Sequence, residues 1–219
     1  MRLLILSRQN GGEFDDQSEV DKRPSSLGVQ AEILKRGLEA IDIDCKMSDL
    51  RDEPGNEELY KSFRPDFVVG VGFWGDVPNF VSHPLKFGMK PVPWLVADQV
   101  VLNFVKELNQ LKLILVPSNW VKFLMGRDGI NPEKIKVVIE GIDTTVFCPR
   151  SQDEKSVNKY RTKFNIGRDE LLIFTLGGDS ASKGVPEMIE ALYLLNKNYP
   201  KWKYLIKIST SQVARENYE

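Results

Sequence analysis

The sequence predicts an α/β protein that begins with a doubly wound parallel sheet and continues into an incomplete second β-α-β domain. Three observations indicate this. Short, almost continuous apolar runs recur along the chain, as in strands that are buried on both faces. Stretches with one apolar stripe, typical of helices, alternate with these runs. A polar, turn-rich segment then separates a first α/β domain over residues 1–150 from a second domain over residues 151–219.

Composition narrows the class of protein. With 42% hydrophobic residues and both charge signs mixed, the 219 residues describe a globular chain with a sizeable core. A net charge of -1 gives no basic field that would attract nucleic acid. No apolar run reaches the ~20 residues that cross a bilayer. Cys45 and Cys148 are isolated and fit structural thiols in a reducing cytoplasm, and His83 is the single histidine, which excludes a multi-histidine metal site.

Residues 3–6 form a short apolar run followed by a turn, and they are predicted to be a buried first strand. The run is too short for the apolar core of a signal peptide. Gly11 and Gly12 follow it within an acidic loop. Ser25 and Ser26 are candidate caps for the first helix. The apolar stripe of that helix is spaced by four, three, four and three positions, and it consists of Leu27, Ala31, Leu34, Leu38 and Ile41.

The second strand is predicted over residues 41–47. Within it, Asp42 and Asp44 form a D-x-D pattern that binds metal in some enzymes, but strand alternation places both side chains on one face. We therefore interpret this segment as a solvated edge strand. Residues 51–61 are polar and contain Pro and Gly, and they are assigned no element.

The third strand, over residues 67–71, runs into a glycine-rich sequence that ends at Trp74 and Asp76. Glycines at the carboxyl end of a parallel strand allow a ligand to approach the backbone, and open α/β sheets bind ligands at that end. A plain turn with a packing aromatic side chain is an equally weighted alternative. His83 lies in the connection that follows and is predicted at the surface. The fourth strand is predicted over residues 93–97.

Residues 111–149 contain two more strands, over 113–116 and 135–139, with a short helix between them that Ser118 can cap. A charged connector over residues 151–163 leads to a strand over 171–176, which is predicted to be buried on both faces. A helix and a last strand over residues 204–208 follow.

The loop between strand 171–176 and the next helix has the composition of an anion cradle. It begins with Gly177 and Gly178, offers the hydroxyls of Ser180 and Ser182, and ends with Lys183 and Gly184. Backbone N–H groups at a helix start point outward, the helix dipole adds partial positive charge, and the lysine adds a full one. The spacing does not fit a P-loop. A solvated connection is the alternative.

The segment around residues 116–149 resembles the inter-domain crossover of glycosyltransferase family 4, whose members consist of two Rossmann-like domains that face a cleft (the GT-B fold). The generic alternative is an ordinary connection between a helix and a strand. Glu140 stands where the family usually has Asn. The matching residues are Val116-Pro117-Ser118, Lys134-Ile135, Val137, Val138-Ile139, Gly141-Ile142-Asp143 and Phe147-Cys148-Pro149.

The resemblance implies transfer of a sugar from a nucleotide-diphosphate sugar to a hydroxyl of a carbohydrate or other acceptor. It implies retention of anomeric configuration and no bound metal or cofactor. In the family, the loop that corresponds to residues 177–184 contains an Arg and a Lys-Gly pair, and its Arg and Lys contact the donor diphosphate. Lys183-Gly184 matches the Lys-Gly pair, and Gly178 stands where the family has Arg.

The resemblance also implies site residues in the first domain. Gly11 and Gly12 match a glycine pair that approaches the donor phosphates, with Gly28 as a rival. Asp98 lies beside the position of a family histidine near the acceptor, where it would accept a proton, or else it caps the following helix. Trp74 and Asp76 would line a sugar pocket, although a tryptophan such as Trp74 is more often a core residue.

The resemblance covers nearly all of this chain but only about the first third of the family's second domain. We therefore expect a fragment with little or no transferase activity on its own. The family also implies peripheral contact with the inner membrane face, for which the sequence shows no strongly basic amphipathic helix. A nucleotide-sugar epimerase on the same scaffold and a non-catalytic α/β binding module are the alternatives.

Overall fold

A computed structural model of the chain describes residues 1–9, 25–96, 102–151, 154–176 and 183–207. Within it, the chain divides into two units, Met1–Phe147 and Cys148–Glu219. The sequence-based boundary lies three residues further on, after residue 150.

The first unit contains a parallel sheet of six strands in the order β2-β1-β3-β4-β5-β6. This confirms the predicted doubly wound sheet. The chain leaves β1 toward β2 on one side and returns to β3 on the other, so the switch in strand order falls between β1 and β3. The strands are β1 (Arg2–Ser7), β2 (Asp44–Asp49), β3 (Phe67–Gly72), β4 (Pro91–Leu95), β5 (Ile114–Val116) and β6 (Ile135–Val137).

Helices and helical turns connect these strands. The α-helices of the first unit are α1 (Ser26–Glu39), α2 (Glu53–Ser62), α3 (His83–Lys86), α4 (Val105–Gln110) and α5 (Asn119–Arg127). Single 3-10 turns cover Trp74–Asp76, Leu102–Phe104 and Pro132–Lys134, and a π-helical turn covers Pro78–Ser82. The predicted cap of α1 is confirmed, because the Ser25 hydroxyl accepts a hydrogen bond from the Gly28 N–H at 2.9 Å.

Two apolar layers bury the two faces of the sheet. In β1, Leu4 and Leu6 belong to one layer, whereas Leu3 and Ile5 belong to the other, together with Ala31 of α1. Successive side chains of a strand point to opposite faces, so a strand covered on both sides is apolar at every position. This is the physical reason for the continuous apolar run at the start of the sequence.

Two features of the α1–β2 region differ from the prediction. The second strand begins at Asp44 and not at Ile41, because Asp42 adopts a left-handed turn conformation with φ of 61°. Asp42 and Asp44 therefore do not share a strand face. Ile41 lies in the same turn, beyond the end of α1, and is 66% exposed, so the buried part of the stripe ends at Leu38. The prediction of an edge strand is confirmed.

The surface position predicted for His83 is wrong. The residue is 5% exposed, and its ring lies 5.7 Å from that of Tyr60 and 5.1 Å from that of Phe87. The cause is α2, which forms in the polar stretch that had no assigned element. The Asp52 side chain caps α2 by accepting a hydrogen bond from the Gly55 N–H at 3.1 Å, and Tyr60 of this helix covers the histidine.

The second unit contains α6 (Lys155–Lys163), β7 (Leu171–Leu176), α7 (Val185–Leu195) and β8 (Trp202–Lys207). β7 and β8 form a two-stranded parallel sheet. The bounds predicted for β7 are confirmed, but its predicted burial on both faces is wrong: Leu171, Phe174 and Leu176 are 51%, 52% and 60% exposed. Two strands and the described helices of this unit do not supply enough apolar surface to cover both faces of β7.

Gly70 and Gly72 of β3 are required by packing. A Cβ at Gly70 would lie 2.3 Å from Cγ of Phe80, and one at Gly72 would lie 2.7 Å from Cε1 of the same ring. Phe80 itself is completely buried. The structure therefore supports the packing alternative for these glycines, with Phe80 and not Trp74 as the aromatic side chain.

We expect Gly70→Ala to lower the free energy of unfolding by about 2 kcal/mol, because the added methyl group must displace a ring fixed in the core. Gly37→Ala is the matched control: a Cβ at this position of α1 meets no atom within 4 Å, and the change should stabilise the helix by about 0.5 kcal/mol. Urea denaturation followed by tryptophan fluorescence measures both. Equal effects of the two substitutions would contradict this account of β3.

Candidate functional site

A buried ion pair lies at the switch point of the sheet. Arg8 is the first residue after β1, and Asp76 belongs to the 3-10 turn that follows the neighbouring strand β3. The Arg8 Nε and Nη2 groups both donate to Asp76 Oδ1, at 3.0 Å and 2.7 Å. The side chain of Asp76 is 2% exposed and that of Arg8 is 21% exposed. The pair therefore ties together the carboxyl ends of two adjacent strands.

Residues of the β3–α3 connection hold both members of the pair. The Arg8 guanidinium carbon lies 4.7 Å from the centre of the Phe73 ring. The Phe73 N–H donates to the second carboxylate oxygen, Asp76 Oδ2, at 3.3 Å. A Cβ at Gly72 would lie 2.8 Å from this oxygen, so a glycine is needed beneath the carboxylate. Both Asp76 oxygens thus accept hydrogen bonds, as a buried carboxylate requires.

The next carboxylate along this edge is also paired. Asp49, at the end of β2, accepts hydrogen bonds from the Gln9 N–H at 3.2 Å and from the Arg51 side chain at 2.9 and 3.0 Å. The Arg51 hydrogen bonds hold the pKa of Asp49 below its ordinary value, against the opposing effect of burial. In the part of the edge that the structure describes, Asp49 and Asp76 are therefore both engaged with arginines.

The two residues predicted to line a sugar pocket have different surroundings. Asp76 is enclosed in its ion pair, as described above. Trp74 is half-buried and packs against the apolar layer that contains Phe80. Contact of either residue with a sugar stays a prediction.

Of Gly11, Gly12, Gly28 and Asp98, the positions predicted to lie near the donor phosphates or the acceptor, the structure describes Gly28. Gly11, Gly12 and Asp98 lie outside the described residues. Gly28 is described, and a Cβ at this position would lie 2.8 Å from the Arg8 carbonyl oxygen. Gly28 therefore lets α1 approach the end of β1 closely.

The start of α7 is the described part of the predicted phosphate loop. Gly177, Gly178 and Ser182 lie outside the described residues. Gly184 is the N-cap of α7 and adopts a left-handed conformation with φ of 63°, which favours glycine. Lys183 precedes it and is exposed. The ammonium group and the helix N-terminus both favour an anion here, whereas Glu187 in the first turn opposes one.

Arg8 is the residue that the sequence analysis did not identify. The sequence feature that points to Arg8 is its position directly after a buried strand, at the carboxyl edge of the sheet. Its pairing with Asp76 could not be predicted without the strand order, because the adjacency of β1 and β3 brings the two residues together.

The described residues contain no group of three or more His, Cys, Asp or Glu side chains arranged to hold a metal ion. Among the helices described in the structure, none has both the length and the apolar character required to cross a membrane.

Glu140 lies three residues after the end of β6, and its side chain is partly buried. Its Oε1 atom is buried and has no hydrogen-bond partner among the described residues. Burial raises its pKa above the ordinary value of 4.5. Its chain neighbours Ile139 and Gly141, together with α1 and Trp94, line a groove of about 220 Å³. Burial of the Glu140 carboxyl group disfavours its charged form.

The sequence matches no protein-family model and no curated protein. Solved structures of similar fold include Anabaena Alr3699/HepE in complex with UDP-glucose, with a TM-score of 0.67, 15% identity, and coverage of 99% of this chain and 64% of HepE. A glycosyltransferase from Rickettsia africae ESF-5 has a TM-score of 0.57, 15% identity, and coverage of 95% and 68%. The UDP-GlcNAc 2-epimerase from Methanocaldococcus jannaschii has a TM-score of 0.55, 15% identity, and coverage of 96% and 66%.

At these identities the similarity shows the fold. The first unit has the fold of a Rossmann-like N-terminal domain of the GT-B type. The chain spans 64% of the length of HepE.

We expect Glu140→Gln to raise the melting temperature at pH 7, because the folded state then no longer holds a carboxylate in a poorly solvated position. A raised pKa in the folded state means that the protonated carboxyl stabilises it, and this stability is lost as pH rises through the folded pKa. The gain should therefore disappear at pH 3, well below the ordinary pKa of 4.5, where Glu140 is protonated in both states. Calorimetry at the two pH values measures it.

The exposed residue Glu58 provides the control, since Glu58→Gln should change the melting temperature little at either pH. A Glu140→Gln variant that is less stable than the parent at pH 7 would contradict the conclusion that burial of the Glu140 carboxylate destabilises the folded state.

Proposed function

We propose that this chain is the acceptor-side domain and the beginning of the donor domain of a glycosyltransferase of the family 4 type. Its substrates would be a nucleotide-diphosphate sugar and a hydroxyl group of a carbohydrate or other acceptor. The observation that carries the proposal is the strand–loop–helix unit of the second domain: Lys183 and a left-handed Gly184 stand at the start of α7, at the spacing of the family's Lys-Gly pair. The GT-B fold of the first unit supports it.

The proposed chemistry is electrostatic. When the bond between sugar and phosphate breaks, negative charge accumulates on the leaving diphosphate. Groups that are already in place stabilise this charge more strongly than they stabilise the ground state, which lowers the barrier. Lys183 would supply a full positive charge, and the N–H groups at the start of α7 a partial one. Gly11, Gly12, Gly177, Gly178 and Ser182 are the other proposed phosphate contacts.

On the acceptor side, Asp98 is the proposed proton acceptor for the attacking hydroxyl. Trp74 is the proposed stacking surface for a sugar ring. Asp76 remains a proposed residue of the sugar pocket. Because its carboxylate is paired with Arg8, it would act by holding the Arg8 side chain in place. Retention of configuration, independence from metal and low activity of this chain alone are further parts of the proposal, and they rest on the family resemblance.

The proposal places the protein in the cytoplasm, with peripheral contact at the inner membrane face. The absence of a spanning helix among the described residues is compatible with this location.

A nucleotide-sugar epimerase is the second candidate, and the fold similarity to the Methanocaldococcus jannaschii 2-epimerase favours it. Such an enzyme needs acid and base groups that exchange protons with the sugar. At the described edge, Asp49 and Asp76 are engaged with arginines, and His83 lies among the rings beside α2. Incubation with UDP-GlcNAc in the absence of an acceptor separates the two activities, because only an epimerase would yield a free epimerised nucleotide sugar.

We expect the 219-residue chain to bind UDP in titration calorimetry and the Lys183→Ala variant to bind it about tenfold more weakly. The reason is that a hydrogen bond to a charged group contributes enough free energy for a change of this size. Lys159→Ala removes an exposed lysine of α6 in the same unit and serves as the control. Absence of UDP binding by the parent chain, or equal affinities of the two variants, would overturn the proposal.

A further inference from the structure

The groove of about 220 Å³ beside α1 lies on one face of the six-stranded sheet. It adjoins the apolar layer that contains Ala31 of α1 and Trp94 of β4. α1 packs against β1, β2 and β3, and the groove lies next to it, above β4. Its opposite wall includes Ile139 and Gly141, which follow β6. All of its lining residues belong to the first unit, so the groove is formed within one compact body.

Two side chains that line the groove carry a buried polar atom without a hydrogen-bond partner among the described residues. Trp94 is 3% exposed, and its Nε1–H group is an unpaired donor. The Oε1 atom of Gln30 on α1 is an unpaired acceptor. Buried polar groups of native proteins are nearly always paired, and an unpaired one is destabilising. A ligand that supplied both partners would therefore gain binding free energy in this groove.

The rest of the lining indicates the class of ligand. Apart from Gln30, Trp94 and two glycines, the lining side chains are aliphatic, and none of the lining residues is charged. A charged ligand would lose its hydration in this groove without meeting an opposite charge, whereas an apolar ring would gain from leaving water. A cavity of about 150 Å³ is large enough to bind benzene. The groove therefore has room for one ring with a substituent.

From these observations we infer that the groove beside α1 binds a neutral small molecule that consists of an apolar ring and a hydroxyl group. A hydroxyl accepts one hydrogen bond and donates another, so it can accept from Trp94 Nε1 and donate to Gln30 Oε1. Both atoms are closed to water in the structure, so a rotation of the half-buried Gln30 side chain is part of the inference. The site does not involve Lys183, and it goes beyond the proposed function.

The test follows the indole N–H resonance of Trp94 in NMR spectra of the 219-residue chain, which contains four tryptophans. Trp94→Phe identifies this resonance by its disappearance. If that variant does not fold, phenylalanine at Trp74, Trp120 and Trp202 in turn identifies it by elimination. Phenol is the probe, and we expect a saturable shift of the Trp94 resonance but none of that of Trp120, which is 62% exposed. No saturable shift of the Trp94 resonance overturns the inference.

Two probes of similar shape test the hydroxyl group and the neutral charge. We expect toluene to bind about tenfold more weakly than phenol, because it leaves both polar atoms unpaired. We expect benzoate to produce no saturable shift, because it would bring a charge into a groove that offers no opposite charge. Equal affinities for phenol and toluene overturn the assignment of a hydroxyl-bearing ligand, and benzoate binding as tight as that of phenol overturns the assignment of a neutral one.

Two variants test the site from the side of the protein. Gln30→Met keeps the length of the side chain but removes the acceptor, so we expect phenol to bind about tenfold more weakly and toluene to bind unchanged. Gly141→Leu should abolish binding of both, because a Cβ there would lie 3.8 Å from Ile33 Cγ2, and a leucine would fill the space between these two lining residues.

Gln110→Met, at the exposed end of α4, is the matched control and should bind phenol like the parent. Melting curves establish that each variant folds, and if Gly141→Leu does not fold, Gln30→Met alone decides. Unchanged phenol affinity in Gln30→Met overturns the inference.

These outcomes are independent of the proposed transferase function. If UDP does not bind but phenol shifts the Trp94 resonance, the groove site stands and the proposed function fails. If UDP binding depends on Lys183 while phenol leaves the Trp94 resonance unchanged, the proposed function stands and the inference about the groove fails.

Discussion

The carboxylate of Asp76 lies almost entirely out of water, and this sets the arrangement of the residues around it. An ionised group in such a position costs several kcal/mol unless it is paired and its oxygens accept hydrogen bonds. Arg8 and the Phe73 N–H meet this requirement. Gly72 provides the necessary space, because a side chain there would collide with the carboxylate. The ends of β1 and β3 are consequently fixed relative to each other at the one place where the strand order reverses.

The rest of the first unit explains how a charge pair can be placed there. Apolar layers cover both faces of the six-stranded sheet, so the strands themselves carry no polar side chain into the core apart from small ones such as Ser7. Among the described residues, the larger buried polar side chains therefore lie on the connections between strands, at Asn56, Asp76 and His83. At the carboxyl edge of the sheet, Arg8 directly follows β1, Asp49 is the last residue of β2, and Asp76 lies shortly beyond β3. Catalytic and binding residues of α/β proteins are generally found on connections of this kind, supported by a rigid sheet.

Local patterns in the sequence were sufficient for much of the fold. The apolar runs located β1 and β7, and Ser25 was correctly identified as the cap of α1. The missed features depend on contacts between distant residues. α2 has a polar composition and was recognisable only by its Asp52 cap, and the burial of His83 follows from that helix. The exposure of β7 depends on how many strands accompany it, which its own residues do not encode.

The candidate site shows the same limit. Loop composition and spacing predicted the start of α7 next to Lys183-Gly184, because a helix start leaves a local signature, whereas contact of this pair with a phosphate stays a prediction. Arg8 was not found, because its partner lies 68 residues away in the sequence and the pairing requires the strand order. The role of Gly70 likewise depends on a ring ten positions further on.

A crystal structure of the chain grown with UDP-glucose tests the proposed function most directly, namely that the start of α7 binds the diphosphate of a nucleotide sugar. The account predicts electron density for the diphosphate within hydrogen-bonding distance of Lys183. Ordered nucleotide bound elsewhere, with only solvent beside Lys183, would contradict the claim.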